Sequence, residues 1–114
     1  MVEPHIEENP NNITSAEMVV AIPSYREADL IAFPTTQAAQ GLKRYFPDRS
    51  CVLINCDNNS DDGTKEAFFG AETEGVPQIY ISTPPGVRGK GNNFQNLFRK
   101  VVALGAQAVV VVDA

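Results

Sequence analysis

An apolar run that stops at a carboxylate constrains this chain more than any other feature. Cys51-Val-Leu-Ile-Asn-Cys-Asp57 is followed directly by Asn-Asn-Ser60-Asp61-Asp62-Gly63-Thr64. A short run rich in Val and Ile, closed by Asn, Asp and Gly, predicts a buried strand feeding a loop. Asp62 or Thr64 can then serve as N-cap of a helix through Lys65-Glu-Ala-Phe-Phe69, which Gly70 ends. Open α/β sheets build their ligand sites from these parts: a strand, a polar loop at its carboxyl end, then a helix.

The pattern recurs along the chain. Met18-Val-Val-Ala-Ile-Pro23 is apolar almost throughout, which suits a strand covered on both faces of a parallel sheet, and Pro23 fits only at its end. Residues 76–82 predict a third strand between Gly75 and Pro84-Pro85. Residues 107–112 predict a fourth, buried, ending on Asp113-Ala114. Between the first two strands, residues 28–46 read as helix with Leu30, Ile31, Phe33, Leu42, Tyr45 and Phe46 as core contacts. Pro34 should kink that helix or split off its first turn. Residues 92–104 read as a second long helix, with Phe94, Leu97, Phe98, Val101 and Val102 on its buried side and Gly105 closing it. Strands alternating with helices imply an α/β fold, Rossmann-like, with a parallel sheet of about four strands. Residues 1–17 carry Pro4, Pro10, several Asn and four Glu without a hydrophobic period, and are expected to form a mobile acidic leader to a domain spanning 18–114. No helix follows the last strand, so the expectation is a domain incomplete at its C-terminal end. Apolar strand surface left uncovered there should promote self-association.

Charge narrows the partners. A formal charge of −5 argues against nucleic acid, whose phosphates need a basic face. Between Glu74 and Asp113 there is no acid, while Arg88, Lys90, Arg99 and Lys100 all fall there. Arg99 and Lys100 suit a solvated helix face. Arg88 and Lys90 sit instead in Gly86-Val-Arg-Gly-Lys-Gly91, which is neither a P-loop nor a dinucleotide fingerprint. A loop carrying two cations into a helix N-terminus suits a diphosphate. His5 stands alone, which excludes a His-based metal site. Cys51 and Cys56 lie five apart on one strand, face opposite ways and cannot pair, which fits small buried hydrophobes in a reducing compartment. With no signal-peptide pattern and no apolar run long enough to span a bilayer, a cytoplasmic location is expected.

Four acids fall at or after strand ends: Asp57, Asp61, Asp62 and Asp113. Turn and cap chemistry accounts for Asp61 and Asp62. Asp57 and Asp113 each end an apolar strand, where an acid is costly unless paired or facing a ligand.

Taken in order, Val-Val-Ala-Ile-Pro23-Ser-Tyr-Arg-Glu27, Asp57-Asn-Asn-Ser60-Asp-Asp62-Gly63-Thr64, Gly89-Lys90-Gly91-Asn-Asn and Val-Val-Val-Val-Asp113 resemble the nucleotide-sugar-binding half of a GT-A glycosyltransferase of the family 2 type. The Gly-Lys-Gly segment is similar to the mannosylglycerate synthase and glucosyl-3-phosphoglycerate synthase branch. The resemblance implies that Pro23, Tyr25 and Glu27 line the base and ribose, and that Asp57 accepts a ring N–H of the base. Lys90 would approach the diphosphate. Asp113 would open an Asp-x-Asp motif that holds ribose and a divalent cation, magnesium or manganese. It further implies a metal-dependent transfer of sugar from a nucleotide diphosphate sugar donor to a small-molecule or glycan acceptor, this chain supplying donor recognition. The second aspartate, the acceptor site and any catalytic base would then lie beyond Ala114. The competing expectation is a non-catalytic nucleotide-binding or interaction module of the same fold. A nucleotidyltransferase would need a glycine-rich loop after the first strand, and Ser24-Tyr-Arg-Glu27 has no glycine.

Overall fold

The structure is a computed structural model that describes residues 6–87 and 89–114, with only the backbone of Lys90 described. Five strands and three helices alternate along it: β1 (Ile6–Glu8), β2 (Met18–Ser24), α1 (Ala32–Tyr45), β3 (Cys51–Asp57), α2 (Thr64–Gly70), β4 (Gln78–Ser82), α3 (Lys90–Leu104) and β5 (Ala108–Val111). The strands form one sheet in the order β1-β4-β3-β2-β5. All neighbours run parallel except β1, which pairs antiparallel with β4. The chain steps outward from β2 through β3 to β4, then returns to add β5 on the other side of β2. That reversal leaves a crevice at the carboxyl ends of β2 and β5, which is where open α/β sheets take ligands.

Alternation along β2 and β3 divides the core in two. Val19, Ala21, Val52, Ile54, Cys56, Ile79 and Ile81 pack with Leu97 and Leu104 of α3. Val20, Ile22 and Leu53 face the other way, onto Ile31, Ala39, Leu42 and Phe68 of the α1 and α2 layer. A sheet covered on both faces explains why its central strands read as unbroken apolar runs. The two cysteines are free and belong to opposite layers, Cys56 in the first and Cys51 against the second.

Several expectations are corrected. The expected acidic leader is part of the fold from Ile6 onward, because β1 caps the open edge of β4. Lys65 Nζ meets Glu8 Oε2 at 2.6 Å, and Lys100 Nζ meets Glu7 Oε2 at 3.1 Å. Two of its acids therefore pair with helix lysines, and Ala16 is buried in the core. Residues 1–5 lie outside the described residues. The first helix starts at Ala32, four residues later than expected. Residues 28–31 instead form turns, with Leu30 and Ile31 both donating to the Glu27 carbonyl. Pro34 then falls in the first helical turn, where its missing N–H has no intrahelical partner to lose. The shift also changes the buried face to Ile31, Thr35, Ala39 and Leu42, leaving Leu30, Phe33, Tyr45 and Phe46 exposed. In α3, Leu97 is buried and Phe94 and Val101 are partly so. Phe98 and Val102 face outward, and Asn93 and Asn96 lie beneath instead. Finally, β5 is an exposed edge strand, with Val110 52% and Val111 42% accessible, because among the described residues no element covers its outer side. Gly105 does close α3, at φ +67, a left-handed conformation that glycine adopts without a Cβ penalty.

Candidate functional site

The loop after β3 is the frame of the site. Asp57 is fully buried, and its carboxylate collects four donors. Oδ1 accepts from Ser24 Oγ at 2.6 Å and from Ser60 Oγ at 2.8 Å. Oδ2 accepts from the Ser60 backbone N–H and from Tyr80 Oη, both at 2.8 Å. An ionised carboxylate has about four lone-pair positions, so the protein itself occupies all of them. Burial, reinforced by the bond to Asp57, pushes the Tyr80 phenol well above its ordinary value and keeps it a donor.

From this root the loop reaches across to the segment that follows β2. Asn58 N–H donates to the Ser24 carbonyl. The backbone N–H of Arg26 donates to Ser60 Oγ at 2.8 Å, that of Glu27 to Thr64 Oγ1 at 3.0 Å, and that of Ala28 to Asp62 Oδ2 at 3.3 Å. Thr64 Oγ1 in turn donates to Asp62 Oδ1 at 2.5 Å, a bond that holds the Asp62 carboxyl below its usual range. Arg26 pairs with Asp61 at 3.2 Å, lies over the Tyr25 ring and sits at φ +56, a left-handed backbone that these bonds hold in place. The turn into α2 is made by Gly63 at φ +95. Asp62 acts on the helix from one residue further out than a standard N-cap, by accepting the Thr64 N–H.

Held this way, the β2 loop forms one wall of a cleft of about 230 Å³. Pro23 and Ser24 come from the end of β2, Tyr25 and Glu27 from the loop, and Asn58 from the next loop. Asn93 and Phe94 come from the first two turns of α3, and Val111 and Asp113 from β5 and its exit. Four of the six residues singled out from the sequence, Pro23, Tyr25, Glu27 and Asp113, meet here although up to 90 residues separate them. Asp57 is not among the lining residues and lies in the frame next to them, paired within the protein, one of the two arrangements open to an acid that ends an apolar strand. Its strand pairs with β2 so that Asp57 is level with Ser24, and the hydroxyls enclose it. The Lys90 side chain, expected near a diphosphate, lies outside the described residues, as does Arg88.

Sequence reasoning missed Asn58 and Asn93. Each carries a side-chain carbonyl oxygen that is buried without a hydrogen-bond partner. The signal for Asn93 was present: it lies four residues before buried Leu97, a polar side chain on a buried helical stripe. Asn58 follows Asp57 directly and was absorbed into the turn. Beyond Asp113, which it shares with the cleft, a wider groove of about 780 Å³ runs along Leu30, Phe33, Pro34, Ala38 and Val112.

The fold and site together define an α/β domain with a mostly parallel sheet and a polar cleft at its strand-order reversal. No family model, no curated protein and no solved structure matches the chain. Among the described residues, no helix is long and apolar enough to cross a membrane.

Proposed function

We propose that the chain binds the nucleotide part of a nucleotide diphosphate sugar, as the donor-binding portion of a GT-A-type glycosyltransferase. The observation that carries this reading is the convergence of Pro23, Tyr25, Glu27 and Asp113 on one cleft at the strand-order reversal. They belong to two segments of the family resemblance, Pro23 to Glu27 and Asp113, that lie far apart in the chain, and the crevice is where such sheets hold nucleotides. Tyr25, Phe94 and Pro23 offer apolar surface for a base or ribose. Glu27 and Asp113 offer hard oxygen donors, and magnesium is commonly held by one or two carboxylates together with phosphate oxygens. The donor set therefore fits a divalent cation, which when bound neutralises charge on the departing diphosphate. What the chain's own residues do is position the nucleotide. Pro23, Tyr25 and Glu27 flank it, and the network rooted at Asp57 keeps their loop from collapsing.

Calorimetric titration of the 114-residue chain with UDP and GDP, with and without magnesium or manganese, tests the reading. Binding of at least one nucleotide, weakened by Glu27→Ala or Asp113→Ala in the presence of the cation, is the expected result. Absence of binding by both nucleotides under all conditions would overturn it.

A further inference from the structure

Asn93 is 2% exposed, and its amide has only one satisfied end. Nδ2 donates to the Cys56 carbonyl at 2.9 Å, at the carboxyl end of β3. That bond fixes which way the amide points, since reversing it would set an oxygen against a carbonyl oxygen. The remaining atom, Oδ1, is buried and unpartnered, and Asn93 lines the cleft. Asn58, from a different loop, also lines the cleft and carries a second buried, unpartnered amide oxygen. Native proteins rarely leave such atoms unpaired, because burying an acceptor with no donor forfeits the hydrogen bond it made in water.

A plain packing role does not explain this placement. An apolar side chain at position 93 would extend the stripe of Leu97 and Leu104 and give up only the bond to the Cys56 carbonyl, which accounts for Nδ2 and leaves Oδ1 without a structural role. The other acceptors of the cleft, the Glu27 and Asp113 carboxylates, have the same polarity. The described polar groups thus ask for an occupant that donates hydrogen bonds.

We infer that Asn93 is a ligand-reading residue whose amide oxygen, locked by the Cys56 carbonyl, accepts a hydrogen bond from the nucleoside. Asn58 supplies a companion acceptor. This rests on the nucleotide-binding reading above and goes beyond it by assigning the recognition of hydrogen-bond donors to the first turn of α3. The donor on the ligand is an N–H of the base or a hydroxyl of the ribose, two sources with one chemistry.

The test is titration of wild type and Asn93→Ala with GDP, with its 2′,3′-dideoxy form and with ribose 5-diphosphate, in magnesium. Circular dichroism confirms that the variant is folded. A loss of about 10-fold in GDP affinity is expected in Asn93→Ala. If the loss persists with the dideoxy nucleotide and vanishes with ribose 5-diphosphate, the base is the donor; the opposite pattern assigns the ribose. Equal affinities of wild type and variant for GDP, or a loss that persists with both analogues, would overturn the inference. Should Asn93→Ala not fold, the wild-type Asn93 side-chain amide resonance serves instead. It must shift with GDP and fail to shift with one of the two analogues, and any other pattern counts against the inference. Failure of the nucleotide-binding reading itself would look different, since wild type would then bind neither GDP nor UDP.

Discussion

Ser24 Oγ donates to Asp57 Oδ1 at 2.6 Å across adjacent parallel strands, at paired positions of the register. The bond ties the last residue of β2 to the last residue of β3, at the point where both strands give way to loops. Ser24 also accepts from Asn55 Nδ2 at 2.8 Å, so the two strand ends are laced together before either loop begins. The loop that carries Tyr25 and Glu27 therefore leaves the sheet from a fixed position.

Asp57→Ala should act mainly through stability. It would strand the buried Ser24 and Tyr80 hydroxyls and the half-buried Ser60 hydroxyl and N–H, at a cost on the order of 3 kcal/mol. Urea unfolding measures this directly. If the variant is as stable as wild type but loses nucleotide affinity, Asp57 reads the base after all.

Alkaline pH should weaken the fold in two steps. Burial pushes the Cys56 thiol from 9.0 to about 12, and burial followed by the Asp57 bond raises Tyr80 from 10.0. Both groups hold their protons more tightly when folded. Their contribution is complete below the unfolded values and declines as pH rises through the interval up to the folded values. Each costs about 1.4 kcal/mol per pH unit within its interval. Stability from urea titrations should begin to fall near pH 9, and between pH 9 and 10 the decline should be shallower in Cys56→Ala, where burial still raises only the Cys51 thiol from 9.0. An unchanged slope in the variant would remove Cys56 from the account.

Gly63→Ala should cost about 1–2 kcal/mol through the backbone alone. An added Cβ would come no nearer than 4.0 Å to Glu66 Oε1, so space is not limiting, whereas φ +95 is strained for any L-residue. Gly63→Asn should recover part of the loss, because Asn tolerates left-handed conformations better. Equal stability of the glycine and alanine forms in urea unfolding would mean that the turn relaxes.

Val110→Lys should leave stability within about 0.5 kcal/mol and reduce self-association. Val110 is 52% exposed on an edge strand with an apolar outer face, an arrangement that templates pairing between chains. Light scattering at increasing concentration distinguishes the two proteins. A wild type that stays monomeric throughout would dispose of this prediction.

Much of the architecture was legible in the residues. The unbroken apolar runs at 18–22 and 51–54 demanded a sheet covered on both faces, and the spacing between them demanded helical crossovers. The failures share a cause. Leu30, Phe33, Phe98 and Val102 were counted as core because they are apolar, but a helix buries only the stripe its neighbours can reach. A four-residue shift in the start of α1 moved that stripe onto Thr35 and Ala39. The pairing of β1 was equally invisible, since three exposed residues gain their strand conformation from the edge of β4 and from two lysines on distant helices.

Local sequence determined which segments are strands and where the chain must turn, because side-chain periodicity and turn chemistry act over a few residues. It also marked Asp113 as out of keeping with a plain core, whereas Pro23, Tyr25 and Glu27 were singled out by the family resemblance. Only the tertiary structure decided what each polar group faces. Asp57 and Asn58 are neighbours in sequence, yet β2, β4 and the loop surround one with four donors and leave the other's carbonyl oxygen buried without a partner. Whether a buried polar group frames a site or reads a ligand depends on donors that other segments bring to it, and that is settled by packing.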